Sequence, residues 1–317
     1  MQETNPAVLT ATDMLRVPYL LSAEYIDRLL KAGPDAIASF IRRQVDLIYR
    51  AWHDYGDAAL VAFAASSLSS AVESKIPPCL DLARIYIIEA EALLAAATHP
   101  GMVLRAFKRA GDAQDMLARL DPAAYSFELL SESILIAGVA LKVIGEFDDS
   151  IDYLRGKAKE WRLDSIASVA LTRQEVMMFQ DENRHLLLLH EAADYQAARP
   201  REYYRTLKRT TELLLNRRRI RLADELAPEL GRAFAIAKSE LSVLARLSFM
   251  RDISQLFAVR GDRYRAQRLL KLCLRVAERS RYAGQVRQIR GLLAALRDDS
   301  TTPRMETFRV GVGSVGR

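Results

Sequence analysis

Glu182 and His185 form an E-x-x-H, the spacing that sets a carboxylate and an imidazole one turn apart on a helix, as in di-iron carboxylate bundles. That chemistry needs a second E-x-x-H and two further carboxylates, and the sequence holds no second copy. His190 follows five residues after His185, about 140° around a helix axis, so the two imidazoles are poorly placed to share a metal from one face. Gly311, Gly313 and Gly316 spell G-x-G-x-x-G. No helix follows them in the sequence to hold a phosphate, and the match is read as chance. Neither G-x-x-x-x-G-K-[ST] nor G-x-S-x-G occurs. Catalysis, a metal and a cofactor are therefore not expected.

Arginine carries a stronger pattern. Met1–Gln180 holds 18 Lys and Arg against 24 Asp and Glu, whereas Asp181–Arg317 holds 28 against 16, and 25 of those 28 are Arg. An acidic first half and a strongly basic second half speak about partners, not about fold. On a helical wheel of Tyr264–Arg279, the residues Arg265, Arg268, Lys271, Arg275 and Arg279 fall within about 120° of one another. The apolar residues Ala266, Leu269, Leu270, Cys273, Val276 and Ala277 take another sector. In the next segment Arg287, Arg290 and Arg297 span about 80°, with Leu292 among them. Solvated faces usually mix both signs, yet Arg260–Arg297 carries ten Arg and one Lys against only Asp262 and Glu278. An anionic partner is expected there. Nucleic-acid phosphate, an acidic protein or peptide, and the acidic half of a second copy of the chain are the three candidates.

The elements that must position these residues are helical. Half of the 317 residues are apolar, and Gly and Pro, 14 and 10 in number, sit mostly at breaks between amphipathic stretches. Strand-like alternation is scarce. The pattern predicts helices over Ser22–Ala32, Asp35–Tyr55, Ala58–Ser74, Leu80–Ala97, Val103–Leu120, Ala123–Ile144 and Asp148–Trp161. It continues over Ser165–Gln180, Arg184–Ala198, Arg201–Asn216, Ile220–Lys238, Leu241–Arg260, Tyr264–Arg279 and Ala283–Arg297. Pro228 should bend or divide the Ile220–Lys238 helix. The expected organisation is an N-terminal extension over 1–21, an acidic half of one helical array over 22–180, its basic half over 181–297, and a tail over 298–317 without helical periodicity. Cys79 and Cys273 lie too far apart for a thiol-rich site and read as small buried hydrophobes. No signal peptide or membrane-length apolar run is evident, so a cytoplasmic protein is expected.

Paired helices joined by tight turns call for a search for repeats. Ala137-Gly138, Leu141, Gly145-Glu146, Ser150, Leu154 and Lys157-Ala158 match, offset for offset, Ile253-Ser254, Phe257, Gly261-Asp262, Ala266, Leu270 and Cys273-Leu274. Both segments resemble the tetratricopeptide repeat, in which small residues let helix A approach helix B and large ones wedge between successive pairs. Weaker echoes fall at Trp52, Gly56-Asp57, Val61 and Ala65, and at Phe107, Gly111-Asp112 and Leu120. A competing register uses Gly56, Gly101 and Gly145. The resemblance implies an all-α, right-handed superhelical array of helical hairpins that binds a peptide or partner protein in a concave groove. Its groove positions map onto Arg50, His53, Lys142, Arg251 and Gln255, together with Asp46, Leu135 and Val139. The expected function is a non-catalytic interaction scaffold or adaptor. The alternatives are a nucleic-acid-associated protein and a ligand- or peptide-sensing regulator.

Overall fold

Several of the Gly and Pro residues that punctuate the sequence become helix ends. In the computed structural model, which describes residues 23–121, 127–161 and 200–297 together with Leu186, Leu189, His190 and Ala193, every regular element is helical. Helix α1 (Ala23–Ala32) stops at Gly33, and α2 (Pro34–Arg50) starts with Pro34 in its first turn. A π-helical turn over Ala51–Tyr55 closes on Gly56, which is left-handed at φ 67°. The Asp57 side chain caps α3 (Ala58–Val72), accepting from Leu60 N at 3.1 Å. Next come α4 (Leu80–Ala96), α5 (Pro100–Ala118), α6 (Phe127–Ile144) and α7 (Phe147–Glu160). The basic half supplies α8 (Pro200–Asn216), α9 (Ile220–Ala237), α10 (Val243–Val259), α11 (Arg263–Arg279) and α12 (Ala283–Arg297). No described helix is long and apolar enough to cross a membrane.

Of the two expected effects of Pro228, division of the helix does not occur: Pro228 lies inside α9, which runs unbroken from Ile220 to Ala237. Pro228 sits on the exposed side, where water can take the carbonyl that loses its donor. A reading of the sequence is corrected at Gly111, which stands inside the unbroken α5, so the Phe107–Gly111–Leu120 echo marks no repeat boundary. Gly101 also lies within that helix, in its first turn, and does not make a left-handed turn like Gly56 and Gly145. The predicted helices at Ser165–Gln180 and Arg184–Ala198, the E-x-x-H, the extension over 1–21 and the tail over 298–317 lie outside the described residues, apart from the four isolated positions above.

Consecutive helices pack as antiparallel neighbours, α6 on α7, α8 on α9, α10 on α11 and α11 on α12. The two segments with matching offsets build matching hairpins. A Cβ on Gly138 of α6 would come within 2.7 Å of the Leu154 side chain of α7, so glycine permits the close crossing. The Ser150 hydroxyl then donates to Gly138 O at 2.6 Å. In the second hairpin the equivalent Ser254, Ala266, Leu270 and Cys273 are all buried. Both turns are Schellman motifs: Glu146 N donates to Leu141 O, and Asp262 N to Phe257 O, with Gly145 and Gly261 at φ 98° and 86°. The same pattern recurs at Arg218-Arg219 and Arg281-Tyr282, where arginine takes the left-handed position at φ 59° and 54°. Sequence inspection for turn glycines misses these two.

The last helices return to the first. Tyr282, fully buried, meets Trp52 edge-on with ring centroids 6.0 Å apart. Ala58 N donates to Ser280 O at 3.2 Å, Arg246 Nη2 donates to His53 O at 3.2 Å, and Arg281 pairs with Asp57 at 3.6 Å. One hydrophobic cluster accordingly runs from Ile26 in α1 to Leu296 in α12. The acidic and basic halves therefore share one core, and part of their opposite charge is satisfied within the chain.

Candidate functional site

Helix α11 divides sharply into two faces. Asp262 caps it, accepting from Arg265 N at 3.1 Å, and Ala266, Leu270, Cys273 and Ala277 are buried against neighbouring helices. Arg265, Arg268, Lys271, Arg275 and Arg279 all point to solvent. Arg265 turns back to Asp262 at 3.3 Å and lies over the Phe257 ring. Among the described residues, no ion pair holds Arg268, Lys271, Arg275 or Arg279. A cation without a local counter-ion keeps its charge available to a partner. Two further side chains stand within the same arc: Tyr264 is 74% exposed and Leu272 41% exposed. On the wheel Tyr264 falls between Lys271 and Arg275, and Leu272 between Arg279 and Arg265, about 20° from its neighbours. The exposed arc is thus cationic with two apolar contacts embedded in it. Leu272 was detectable from the same wheel that revealed the arginines.

On α12, Arg287 and Arg290 are exposed while Ile289, Leu292, Leu293 and Leu296 are buried. Arg290 pairs with Glu278 at 2.7 Å, which fixes it beside the last turn of α11. Arg287 has no ion pair among the described residues.

The groove positions mapped from the repeat resemblance do not form one open surface. Arg50 is exposed, and His53 is half-buried, stacked on Tyr49 with its Nδ1 3.2 Å from Asp54. Arg251 is buried: its guanidinium donates to Glu212 at 2.8 Å, to Asp252 at 2.8 Å, and to Gln285 and Gln288 at 3.1 and 2.6 Å. Lys208 completes this network, 2.6 Å from Glu212 and 3.1 Å from Asp252. Although burial opposes ionisation of Glu212, Arg209, Lys208 and Arg251 together hold its carboxyl well below the usual range. Gln255 is buried too. These charges tie α8, α10 and α12 together and face one another, so Arg251 is structural in this arrangement. Lys142, on α6, is half-buried, and burial followed by the nearby Arg209 lowers its ammonium to about 8.

A second interior charge lies at the join between the chain's two ends. Trp52 Nε1 donates to Glu91 at 2.8 Å. Burial, and then the neighbouring Glu132, push the half-buried Glu91 carboxyl up to about 7, against the pull of Arg201, Trp52 and Arg205. Tyr282 faces the same carboxylate. The folded chain thus keeps a proton on Glu91 that the unfolded chain releases near 4.5. Its contribution to stability is fully present below pH 4.5 and lost as pH rises through 7. Glu91→Gln, which still offers an oxygen to Trp52, should gain stability relative to wild type as pH rises across that window. Urea midpoints at a series of pH values check this; a constant difference between the two proteins contradicts it.

The described residues contain no group of three His, Cys, Asp or Glu side chains able to hold a metal. Cys273 is buried and its thiol pushed up to about 11 by desolvation, far from a reactive thiolate. Cys79, read as buried from the sequence, is instead half-exposed at the start of α4. No family model matches the chain, and no curated protein matches it.

Proposed function

We propose that this chain is a tetratricopeptide-like helical array that acts as a non-catalytic interaction scaffold, binding an acidic partner protein along the exposed face of α11. The observation that carries this reading is the arc of Arg268, Lys271, Arg275 and Arg279, which is exposed and without counter-ions among the described residues. Leu272 within that arc favours a protein over nucleic acid. Arginine forks pair with carboxylates in two parallel hydrogen bonds, while an apolar side chain among them gains from desolvation that a phosphate backbone does not offer. The buried Arg251 and Gln255 leave α11, not a groove through those positions, as the surface for recognition. A cytoplasmic setting suits a chain with two free cysteines.

The test is a fluorescence-anisotropy titration with a labelled peptide of glutamate and leucine, set beside a duplex oligonucleotide of similar charge. The peptide should bind more tightly, and Arg268→Glu/Lys271→Glu/Arg275→Glu should weaken it at least about tenfold. Tighter binding of the oligonucleotide, weakening by orders of magnitude between about 50 and 200 mM salt, would favour the nucleic-acid reading instead.

A further inference from the structure

Where α3, α4 and α5 meet the start of α12 there is an open cleft of about 770 Å³. Its floor is apolar and comes from both halves: Ala59, Ala96 and Met102 on one side, Ala283 and Val286 on the other. Arg281, Arg287 and Arg290 stand at its rim. Only part of that charge is answered locally, since Arg281 pairs with Asp57 at 3.6 Å and Arg290 with Glu278 at 2.7 Å. Arg287 is left without an ion pair among the described residues.

The cleft borders α11 through Glu278. Glu278, which lines it, falls on the wheel about 20° from Lys271, at the edge of the cationic arc. A ligand lying along the arc would therefore reach the cleft at its end. A floor of small aliphatic side chains and a methionine suits a flat apolar group, and thioethers pack well against aromatic rings. Arg287, which has no ion pair among the described residues, suits a carboxylate flanking that group, with the paired Arg281 and Arg290 beside it.

We infer that this cleft is an anchor pocket for an aromatic side chain flanked by acidic residues in the partner's peptide segment. The inference rests on the proposed acidic-protein reading of the α11 surface, and adds to it the kind of residue the partner must present. It also implies that binding spans the join between the N- and C-terminal helices, because each supplies one wall.

Two labelled twelve-residue peptides rich in Glu and Asp test this, one with a central Phe and one with Ala in its place. Wild type should bind the Phe peptide about tenfold or more tightly than the Ala peptide, the gain from burying one aromatic side chain. Ala59→Phe, which fills the floor from a half-exposed position, should abolish that preference. Arg287→Glu, at an exposed site that folding does not use, should weaken both peptides. Equal binding of the two peptides to wild type, or a preference that survives Ala59→Phe, overturns the anchor pocket while leaving the α11 reading intact. If wild type binds neither peptide, or the triple α11 variant binds the Ala peptide as well as wild type, the acidic-partner reading falls and the anchor pocket falls with it.

Discussion

Arg251→Ala is expected to destabilise the chain by about 3–5 kcal/mol, the usual cost of removing one partner from a buried ion pair. Arg251 is 5% exposed, and its guanidinium bonds to four side chains, on α8, α10 and α12. Its removal leaves Glu212 and Asp252 facing each other with Lys208 and Arg209 as the remaining cations nearby. Lys208 cannot replace the lost fork, because an ammonium is a point charge and does not satisfy two carboxylates and two amides at once. A urea titration should show a lower midpoint with an unchanged slope, since the amount of surface exposed on unfolding stays the same. A loss below about 1 kcal/mol would mean that water reaches the network and screens it as it screens a surface pair.

Tyr282→Ala is expected to cost about 3–5 kcal/mol by emptying a fully buried aromatic site. It should also loosen the join between the chain's ends. The ring fills the space above Gly56, where an added Cβ would lie only 3.2 Å from the ring's Cζ and closer still to the hydroxyl. It also packs edge-on against Trp52, which in turn donates to Glu91. The Tyr282 hydroxyl is buried and finds no hydrogen-bond partner among the described residues, so Tyr282→Phe should be close to neutral or slightly stabilising. The pair of variants separates the role of the ring from that of the hydroxyl. Small-angle scattering on folded Tyr282→Ala should give a larger radius of gyration than wild type. An unchanged radius would mean that the Arg246, Asp57 and Ser280 contacts hold the ends together alone.

Much of the fold is legible in the sequence because helix ends depend on local chemistry. Pro34 begins a helix, Asp57 and Asp262 cap helices, and Gly145 and Gly261 end them, each within one or two residues of where spacing placed the break. Pro100, by contrast, starts α5 three residues before the expected Val103. Wheel geometry likewise placed the α11 cations outward, because the buried stripe of Ala266, Leu270, Cys273 and Ala277 leaves them no other side. What could not be read is long-range. The repeat resemblance put Arg251 in a groove, and its burial rests on distant partners, Glu212 39 residues earlier and Gln285 and Gln288 34 and 37 residues later. The left-handed turns at Arg218 and Arg281 were hidden because arginine gives no conformational signal there. The return of Tyr282 to Trp52 and Gly56 joins residues more than 200 positions apart in the sequence, and no local pattern encodes that contact.

The central claim is that the exposed face of α11 recognises an acidic protein segment. The most direct measurement is the affinity of the labelled glutamate–leucine peptide for wild type and for Arg268→Glu/Lys271→Glu/Arg275→Glu, with urea unfolding of both run alongside. The account predicts superimposable unfolding and a loss of at least about tenfold in affinity. Equal affinities in two equally stable proteins would contradict it.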